Sequence, residues 1–340
     1  MNKFKLFFIV ILFFVISNLI ISFLWSFKTT IKFSNYTPYS EEYRNSLNLS
    51  KSETLKLYQE TWQRERLFEY DEFTGLKESL ILNGTYVNIS EENGRLVKNN
   101  PKDCKKNIFF YGGEKIFGYD VSDNQSIPYF FREMLEINLK NHCVFNFGRR
   151  TYSSTQENIL LQKHLLKNKL KKNDIIIFLD GENENGNNKI LNTEFISDNY
   201  NKLHQKYWKL GIAGTKYFFD LLPITQLSEV LYKRFLNNKS QSPNIKISNG
   251  SLKEIQSVYR KNLKIRKGIC SENNLVCFNF LLFNNDNEKN KKKYEILKKE
   301  DDISDLTNFK DQKYLVNRYE SLSPNSNKMI AKKIFEIVIN

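Results

Sequence analysis

From about residue 103 to its end, the chain repeats one pattern: a short, continuous apolar run, a polar loop and a longer amphipathic segment. Uninterrupted apolar runs are typical of strands buried on both faces, and helices between them favour parallel pairing. The pattern predicts an α/β fold, a doubly wound (flavodoxin-like) parallel sheet sandwiched by helices. The predicted strands cover residues 108–111, 144–147, 175–179 and 275–283, and the predicted helices about 127–140, 154–170, 251–268 and 326–338.

The amino-terminal residues 6–26 are almost entirely apolar. About 20 helical residues span the roughly 30 Å hydrocarbon core of a bilayer. We therefore predict a short tail at 1–5, a transmembrane helix at 6–26 and a single-pass, membrane-anchored protein. A cleaved signal peptide is the alternative, but its apolar region would be shorter and no small-x-small cleavage site follows. Lysines flank both ends of the run, so the orientation stays open; we expect the soluble domain to be periplasmic or extracytoplasmic.

Three further regions are predicted after the anchor. Residues 27–102 are expected to form a helical stalk (about 40–70) and an extended linker, and residues 103–340 the main domain. Within that domain, residues 186–250 form a poorly patterned insertion whose aromatic side chains either pack or line a cleft.

The net charge of +14 suits either an anionic partner or solvated lysine-rich faces. The sequence contains no nucleic-acid motif, so we predict no nucleic-acid partner. The four cysteines and three histidines fit no zinc pattern, and we predict no metal and no cofactor. In an extracytoplasmic domain, Cys104–Cys143 and Cys270–Cys277 are the expected bridges; free buried thiols are the alternative.

The first predicted strand runs into Gly112-Gly113-Glu114, and Val121-Ser-Asp-Asn-Gln-Ser-Ile-Pro128 follows. This segment resembles the first block of the SGNH/GDSL hydrolases, in which Gly-Gly-Ser-x-x-x-Gly precedes Val-x-Asp-x-x-x-Ile-Pro. In that family the Ser is the nucleophile. Here Glu114 stands at its position.

Two further strand ends are similar to the next blocks of the family. Asn146-Phe-Gly148 follows the second strand, and Gly181-Glu-Asn183-Glu184 follows the third. The resemblance implies that the Gly148 N–H and the Asn183 side chain donate to the oxyanion formed during acyl transfer. It also implies the SGNH hydrolase fold over about residues 104–340 and an acyl-ester class of substrate.

The fourth block of the family, Asp-x-x-His-x-Ser-Pro, is matched in frame by residues 318–324. Arg318 stands at the Asp position and Ser321 at the His position. A Ser nucleophile needs an adjacent base, and the base needs an orienting partner. The catalytic positions Glu114, Arg318 and Ser321 are therefore all substituted, and the ordinary acyl-enzyme route is not expected.

Two roles remain for Glu114. It is expected to occupy the oxyanion pocket and pair with Arg318 as a structural replacement for the triad. The sharper alternative is an acidic cluster of Glu114, Asp180, Glu182 and Glu184 that grips a cation or acts as a sugar-cleaving carboxylate pair.

We predict a binding or assembly pseudoenzyme, with a cell-surface polysaccharide or an assembly partner as its ligand. The alternative is an active esterase or O-acyltransferase on acylated glycans, with a site rebuilt around Glu114 or His204. His142 precedes the second strand and His164 falls in mid-helix, so neither is expected to serve as the base.

Overall fold

The structure is a computed structural model, and it divides into two units. Unit 1 comprises residues 1–36 and 191–246, and unit 2 comprises residues 37–190 and 247–340. The structure describes residues 5, 9, 12–22, 39–61, 68–71, 75–78, 82–90, 92, 94–98, 100–138, 141–149, 152–181, 183–184, 249–283, 288–307, 313–316 and 319–339. The predicted insertion at 186–250 thus lies almost wholly outside the described residues.

In unit 1, residues 12–22 are helical, within the predicted anchor at 6–26. Across the part of the chain that the structure describes, no helix combines the length and the apolar character needed to cross a bilayer. The transmembrane helix stays a prediction.

Unit 2 is built on an eight-stranded mixed sheet with the order β10-β9-β8-β6-β7-β5-β4-β3. Its strands are β3 (Leu82–Asn83), β4 (Asn88–Ser90), β5 (Gly94–Arg95), β6 (Lys106–Gly112), β7 (His142–Asn146), β8 (Ile175–Asp180), β9 (Val276–Leu281) and β10 (Ile303–Asp305). The strands from β5 to β10 pair in parallel, whereas β3 and β4 pair antiparallel at one edge. Two separate hairpins pair β1 (Phe68–Asp71) with β2 (Gly75–Glu78) and β11 (Lys313–Val316) with β12 (Tyr319–Leu322).

Helices cover both faces of the parallel strands, as predicted. The helices are α1 (Glu41–Leu47), α2 (Lys51–Thr61), α3 (Glu114–Phe117), α4 (Ile127–Asn138), α5 (Ser154–Leu166), α6 (Asn249–Glu272), α7 (Glu288–Leu297) and α8 (Pro324–Ile339). Ile108 and Phe110 of β6 pack with α4 and α8 on one face, whereas Phe109 and Tyr111 pack with α5 and α6 on the other. Side chains of a strand alternate between faces, so β6 is buried on both sides.

The order of strands places β7 on one side of β6 and β8, β9 and β10 on its other side. The chain therefore changes direction across the sheet next to β6. In open α/β sheets, ligands bind beyond the carboxyl ends of the strands at such a point. Residues 112–114 and 180–184 follow the two strands that meet there.

The region predicted as a stalk and linker differs in the structure. Residues 37–102 belong to the same compact unit as the main domain. Tyr43 and Leu57, on α1 and α2, are buried with Phe117 and Val121, and the Tyr39 hydroxyl donates to Asp120 Oδ1 at 2.7 Å. These side chains face the domain, because buried apolar area stabilises a helix more than exposure on a stalk does.

Arg95 of β5 is fully buried and holds the segment that follows α3. Its Nε donates to Asp123 Oδ1 at 2.9 Å, and its terminal nitrogens donate to the carbonyl oxygens of Phe117, Gly118 and Val121. Asp123 also accepts from the Asn88 N–H at 3.0 Å. The guanidinium thereby fixes one wall beside the carboxyl end of β6.

Arg266 of α6 is fully buried behind the carboxyl end of β8. Its terminal nitrogens bind both oxygens of Asp180 at 2.6 and 2.9 Å and Oε2 of Glu157 at 2.7 Å. Its Nε donates to Asn158 Oδ1 at 2.7 Å, and the guanidinium lies 3.9 Å from the centroid of the Phe178 ring. This buried network joins β8, α5 and α6.

Both expected disulfides are present. Cys104 bonds to Cys143, 39 residues away, and Cys270 bonds to Cys277, seven residues away. The first ties the segment before β6 to β7, and the second ties the end of α6 to β9. The alternative of free buried thiols is therefore wrong for all four cysteines.

Replacing Arg266 by Met is expected to lower the free energy of unfolding by about 3–5 kcal/mol, because two buried carboxylates lose their cation. The matched control is Arg260→Met on the same helix. Arg260 pairs with Glu300, but its side chain is 56% exposed, so its loss costs about 1 kcal/mol or less. Urea unfolding followed by circular dichroism measures both. Equal losses would contradict the role given to Arg266.

Removing each disulfide by paired Cys→Ser changes is expected to lower the free energy of unfolding, and to lower it more for the disulfide that closes the longer loop. The chain-entropy relation gives about 4 kcal/mol for Cys104–Cys143 and about 2.4 kcal/mol for Cys270–Cys277. The midpoint and slope of urea unfolding report the difference. A larger loss for the second pair would show that local packing, rather than loop closure, determines the effect.

Candidate functional site

A small pocket lies at the carboxyl ends of β6 and β8, next to the change of direction in the sheet. Its volume is about 30 Å³, which leaves room for one or two water-sized groups. The residues that line it are Gly113, Glu114, Lys115, Tyr152, Glu157, Leu179, Asp180, Gly181, Asn183 and Leu282. Of its charged or polar side chains, Glu114, Lys115 and Asn183 come from the segments after β6 and β8, and Asp180 ends β8. Tyr152 and Glu157 come from the segment after β7 and from α5.

Glu114 and Asn183 meet at this pocket, as the sequence predicts. Glu114 is the first residue of α3 and follows Gly113, the amino-terminal cap of that helix. A Cβ atom added to Gly113 would lie 2.7 Å from Nδ2 of Asn183. The absence of a side chain at 113 lets the Asn183 amide lie close to the backbone that carries Glu114.

Gly148 has a different role from the predicted oxyanion donor. It is not among the residues that line the pocket, and its N–H donates to Asn146 Oδ1 at 3.0 Å. The Asn146 amide in turn donates to the Ile116 carbonyl oxygen at 2.8 Å. A Cβ atom at 148 would lie 2.3 Å from the Phe117 backbone nitrogen. Gly148 thus allows α3 to pack closely on the end of β7, while Tyr152 lines the pocket instead.

The fourth-block positions are described only in part. Arg318 lies outside the described residues, so the contact between Glu114 and Arg318 stays a prediction. Ser321 lies on β12, where its backbone is paired opposite Tyr314.

Neither described histidine is placed to act as a base at the pocket. His164 is buried on α5, and its Nδ1 lies 2.6 Å from the Tyr111 hydroxyl. Burial, together with the positive charges of Lys169 and Arg149, lowers the pKa of His164 to about 3, so the ring is neutral. His142 begins β7, at the opposite end of the strand from the pocket. His204 lies outside the described residues.

The predicted acidic cluster is organised differently. Both oxygens of Asp180 bind Arg266, and Asp180 Oδ2 also accepts from the Tyr259 hydroxyl at 2.8 Å. Glu184 accepts from the N–H and the hydroxyl of Ser154 at 2.8 and 2.6 Å. Glu182 lies outside the described residues. Within the described ranges, no group of acidic, His or Cys side chains is arranged to hold a metal ion.

Three site residues were missed in the sequence: Glu157, Tyr259 and Arg266. Glu157 lines the pocket and is 1% exposed. Its burial, the negative charge of Asp180 and that of Glu184 raise its pKa well above the usual value, although Arg266 opposes the shift. Glu157 is therefore a buried carboxyl at the pocket, paired with Arg266 at 2.7 Å, whose ionisation the burial and the neighbouring negative charges disfavour. One signal in the sequence could have pointed to Glu157. It is an acidic residue one helical turn after Ser153, in Ser153-Ser-Thr-Gln-Glu157.

The close packing at Gly148 predicts opposite effects of alanine at two glycines. Gly148→Ala is expected to lower the free energy of unfolding by about 1–3 kcal/mol, because backbone atoms of α3 must move. Gly268→Ala on α6 has nothing within 4 Å of the added Cβ and is expected to raise stability by about 0.5–1 kcal/mol. Urea unfolding of the two variants checks the signs. A stable Gly148→Ala variant would show that α3 does not depend on this contact.

The chain matches no protein-family model and no curated protein. Solved structures similar to it include one assigned to the G-D-S-L family of lipolytic proteins, from Desulfitobacterium hafniense. That structure is 11% identical with a TM-score of 0.39, covering 69% of this chain and 100% of its own. The psychrotrophic esterase EstA from Pseudoalteromonas is 8% identical with a TM-score of 0.36, covering 68% and 96%. The acetyl xylan esterase Est2A from Butyrivibrio proteoclasticus is 11% identical with a TM-score of 0.35, covering 78% and 67%.

Because these TM-scores lie below 0.5, the description of the site rests on the geometry of this chain alone. The parallel strands have the order β7-β6-β8-β9-β10, helices cover both faces, and the first and third blocks meet at one pocket. The chain therefore has a distant SGNH/GDSL hydrolase-like fold.

Proposed function

We propose that this protein is a membrane-anchored binding or assembly pseudoenzyme whose pocket takes a cell-surface polysaccharide. The observation that carries the proposal is the position of Glu114. It lies at the carboxyl end of β6, in the same pocket as Asn183, where the resemblance places a nucleophilic Ser. The serine route forms its acyl-enzyme on a hydroxyl, and a carboxylate at this position has no hydroxyl to acylate.

The chemistry of the pocket supports binding over turnover. The residues that line it include no histidine, and His164 is neutral and bonded to Tyr111. A general base must reach the proton that it removes, by direct contact or through one water. The pocket offers carboxylates, a lysine, an amide and a tyrosine, groups that bind hydroxyls by accepting and donating hydrogen bonds. Its volume suits a single hydroxyl-sized group of a glycan.

Two observations support an anchored, extracytoplasmic protein. In the helix at residues 12–22, six large apolar side chains are exposed: Leu12, Phe13, Val15, Ile16, Leu19 and Ile20. Lipid is the environment that such a surface fits. The two disulfides favour an oxidising compartment outside the cytoplasm.

The second candidate is an active esterase or O-acyltransferase on acylated glycans. The Asn183 side chain, at the position of an oxyanion donor in the resembling family, favours it. A single such donor contributes about 3–4 kcal/mol to transition-state stabilisation. The site would then depend on Glu114 or His204 for proton transfer.

Hydrolysis of p-nitrophenyl acetate by the full chain in detergent separates the two candidates. Wild type, Asn183→Ala and Glu114→Ser are all expected to match the rate in buffer, because Glu114→Ser supplies a nucleophile but no base. Circular dichroism serves as the control for folding. Turnover by wild type that Asn183→Ala abolishes would establish the enzyme and overturn the pseudoenzyme. Turnover gained by Glu114→Ser would reveal a base outside the described residues.

Binding is tested on an array of bacterial polysaccharides in O-acetylated and chemically deacetylated forms. Wild type is expected to retain at least one of them, and Asn183→Ala to weaken that binding by about tenfold, the loss of roughly one hydrogen bond. Equal binding by wild type and Asn183→Ala would remove the pocket from the proposal.

A further inference from the structure

The pocket segment after β8, defined here by Gly181, Asn183 and Glu184, is held by a buried carboxyl. Glu184 is 2% exposed. Its Oε1 accepts from the Ser154 N–H at 2.8 Å, and its Oε2 accepts from the Ser154 hydroxyl at 2.6 Å. Asn183, immediately before it, lines the pocket. The Glu184–Ser154 contact therefore sets the position of the pocket segment relative to α5.

Ser154 is itself fixed from a second helix. It is the first residue of α5, and its hydroxyl accepts from Asn262 Nδ2 of α6 at 2.8 Å. The Asn158 amide donates to the Asn262 carbonyl oxygen at 3.0 Å. Because Asn262 holds the Ser154 oxygen, the Ser154 hydroxyl hydrogen points to Glu184. The carboxyl thus closes a chain of contacts from α6 through α5 to the pocket.

The charges around Glu184 do not balance. Asp180 faces it from β8 and Glu157 from α5, while Arg266 and the Tyr259 hydroxyl face it from α6. Three buried carboxyls thus share one guanidinium. With all three ionised, the cluster carries an uncompensated negative charge on buried groups, which is unfavourable.

Protonation relieves this imbalance. Burial, and then the negative charge of Asp180, raise the pKa of Glu184 to about 7, although the two hydrogen bonds from Ser154 oppose the shift. The same burial and Asp180 raise the pKa of Glu157 well above its ordinary value. Glu184 is therefore the carboxyl of the cluster that titrates near neutral pH.

We infer that the Glu184–Ser154 contact is a pH-dependent latch that holds the pocket segment closed in mild acid and releases it as the pH rises through neutrality. When Glu184 loses its proton, the added charge is repelled by Asp180 and gains from moving toward water. Release of Glu184 frees Asn183 from its place in the pocket. The latch depends on the buried cluster alone and does not require that the pocket cleave an ester.

The sign follows from linkage. The pKa of Glu184 is about 7 in the closed state and near its ordinary 4.5 when the carboxyl is solvated. The closed state then binds more protons, so its stabilisation is complete below about pH 4.5 and is lost as the pH rises through about 7. Between about pH 5.5 and pH 8, closure is expected to weaken by about 10- to 30-fold.

Hydrogen–deuterium exchange of the full chain tests the latch. Peptides that cover residues 152–158 and 180–184 are compared at about pH 5.5 and pH 8, with labelling times adjusted for the intrinsic rate at each pH. The protection factor of these peptides is expected to fall by about 10- to 30-fold at the higher pH, while peptides of β6 keep theirs. If the protection of the pocket segment in wild type is the same at both pH values, that result is by itself enough to overturn the proposal.

Glu184→Gln identifies the titrating group. Glutamine keeps an oxygen for the Ser154 N–H and adds no charge, so protection is expected to be independent of pH in this variant. The matched control is Glu300→Gln, which removes a carboxyl whose pKa the hydrogen bond from Arg260 lowers; this variant is expected to keep the wild-type pH dependence. If protection in Glu184→Gln depends on pH as it does in wild type, another group is responsible for the transition and the proposal is wrong.

Discussion

The guanidinium of Arg266 joins three elements that meet behind the pocket. It binds Asp180 at the carboxyl end of β8, Glu157 and Asn158 on α5, and stacks on Phe178. A buried ion pair is not by itself evidence for stability, since desolvating the charges costs about as much as their attraction returns. Its effect here is geometric, because each bond has a planar donor with a fixed direction. The pocket wall formed by β8 and α5 depends on this one side chain.

Arg95 acts in a comparable way on the other wall. It binds the carbonyl oxygens of the segment after α3 and the carboxylate of Asp123. Backbone oxygens at the end of a short helix lack partners within the helix, and the guanidinium satisfies several at once. The two arginines hold the segments that carry Glu114 and Asn183 from positions outside the pocket. Neither arginine bonds to the side chain of Glu114 in the contacts described above.

Local patterns in the sequence sufficed for four of the parallel strands and for four of the helices, whereas β10 and α7 were not predicted. The strands beginning near 108, 144, 175 and 275 are continuous apolar runs, and each lies within two residues of its predicted start in the structure. The strands β3 to β5 are only two or three residues long, too short for any periodicity to show. The helices α1 and α2 fall within the region predicted as a helical stalk, but a helical pattern does not tell which surface the apolar side chains cover.

The site was predictable only where a motif is local. Glu114 and Asn183 each sit in a short glycine-containing motif after a strand, and both are at the pocket. Arg266 lies 86 residues from Asp180 and 109 from Glu157, so no spacing rule connects them. Its neighbours Lys264 and Lys267 are basic, and a basic run on a helix ordinarily indicates a solvated face. The Asn146-Phe-Gly148 motif misled for a physical reason: the Asn side chain accepts the N–H that the resemblance assigns to the oxyanion.

Turnover by the serine route requires a group that titrates near neutral pH and reaches the nucleophile. Among the described residues near the pocket, the carboxyls with raised pKa values are Glu157 and Glu184, and both are engaged in holding the walls. A group that carries a proton must change its hydrogen-bond partners in each catalytic cycle. If Glu157 or Glu184 did this, it would release Arg266 or Ser154, respectively. In the structure both carboxyls hold the walls of the pocket. The pocket thus has the Asn183 amide, a carboxylate at the nucleophile position and, bound to its frame, two carboxyls of raised pKa; these are the features on which the proposal of ligand binding rests.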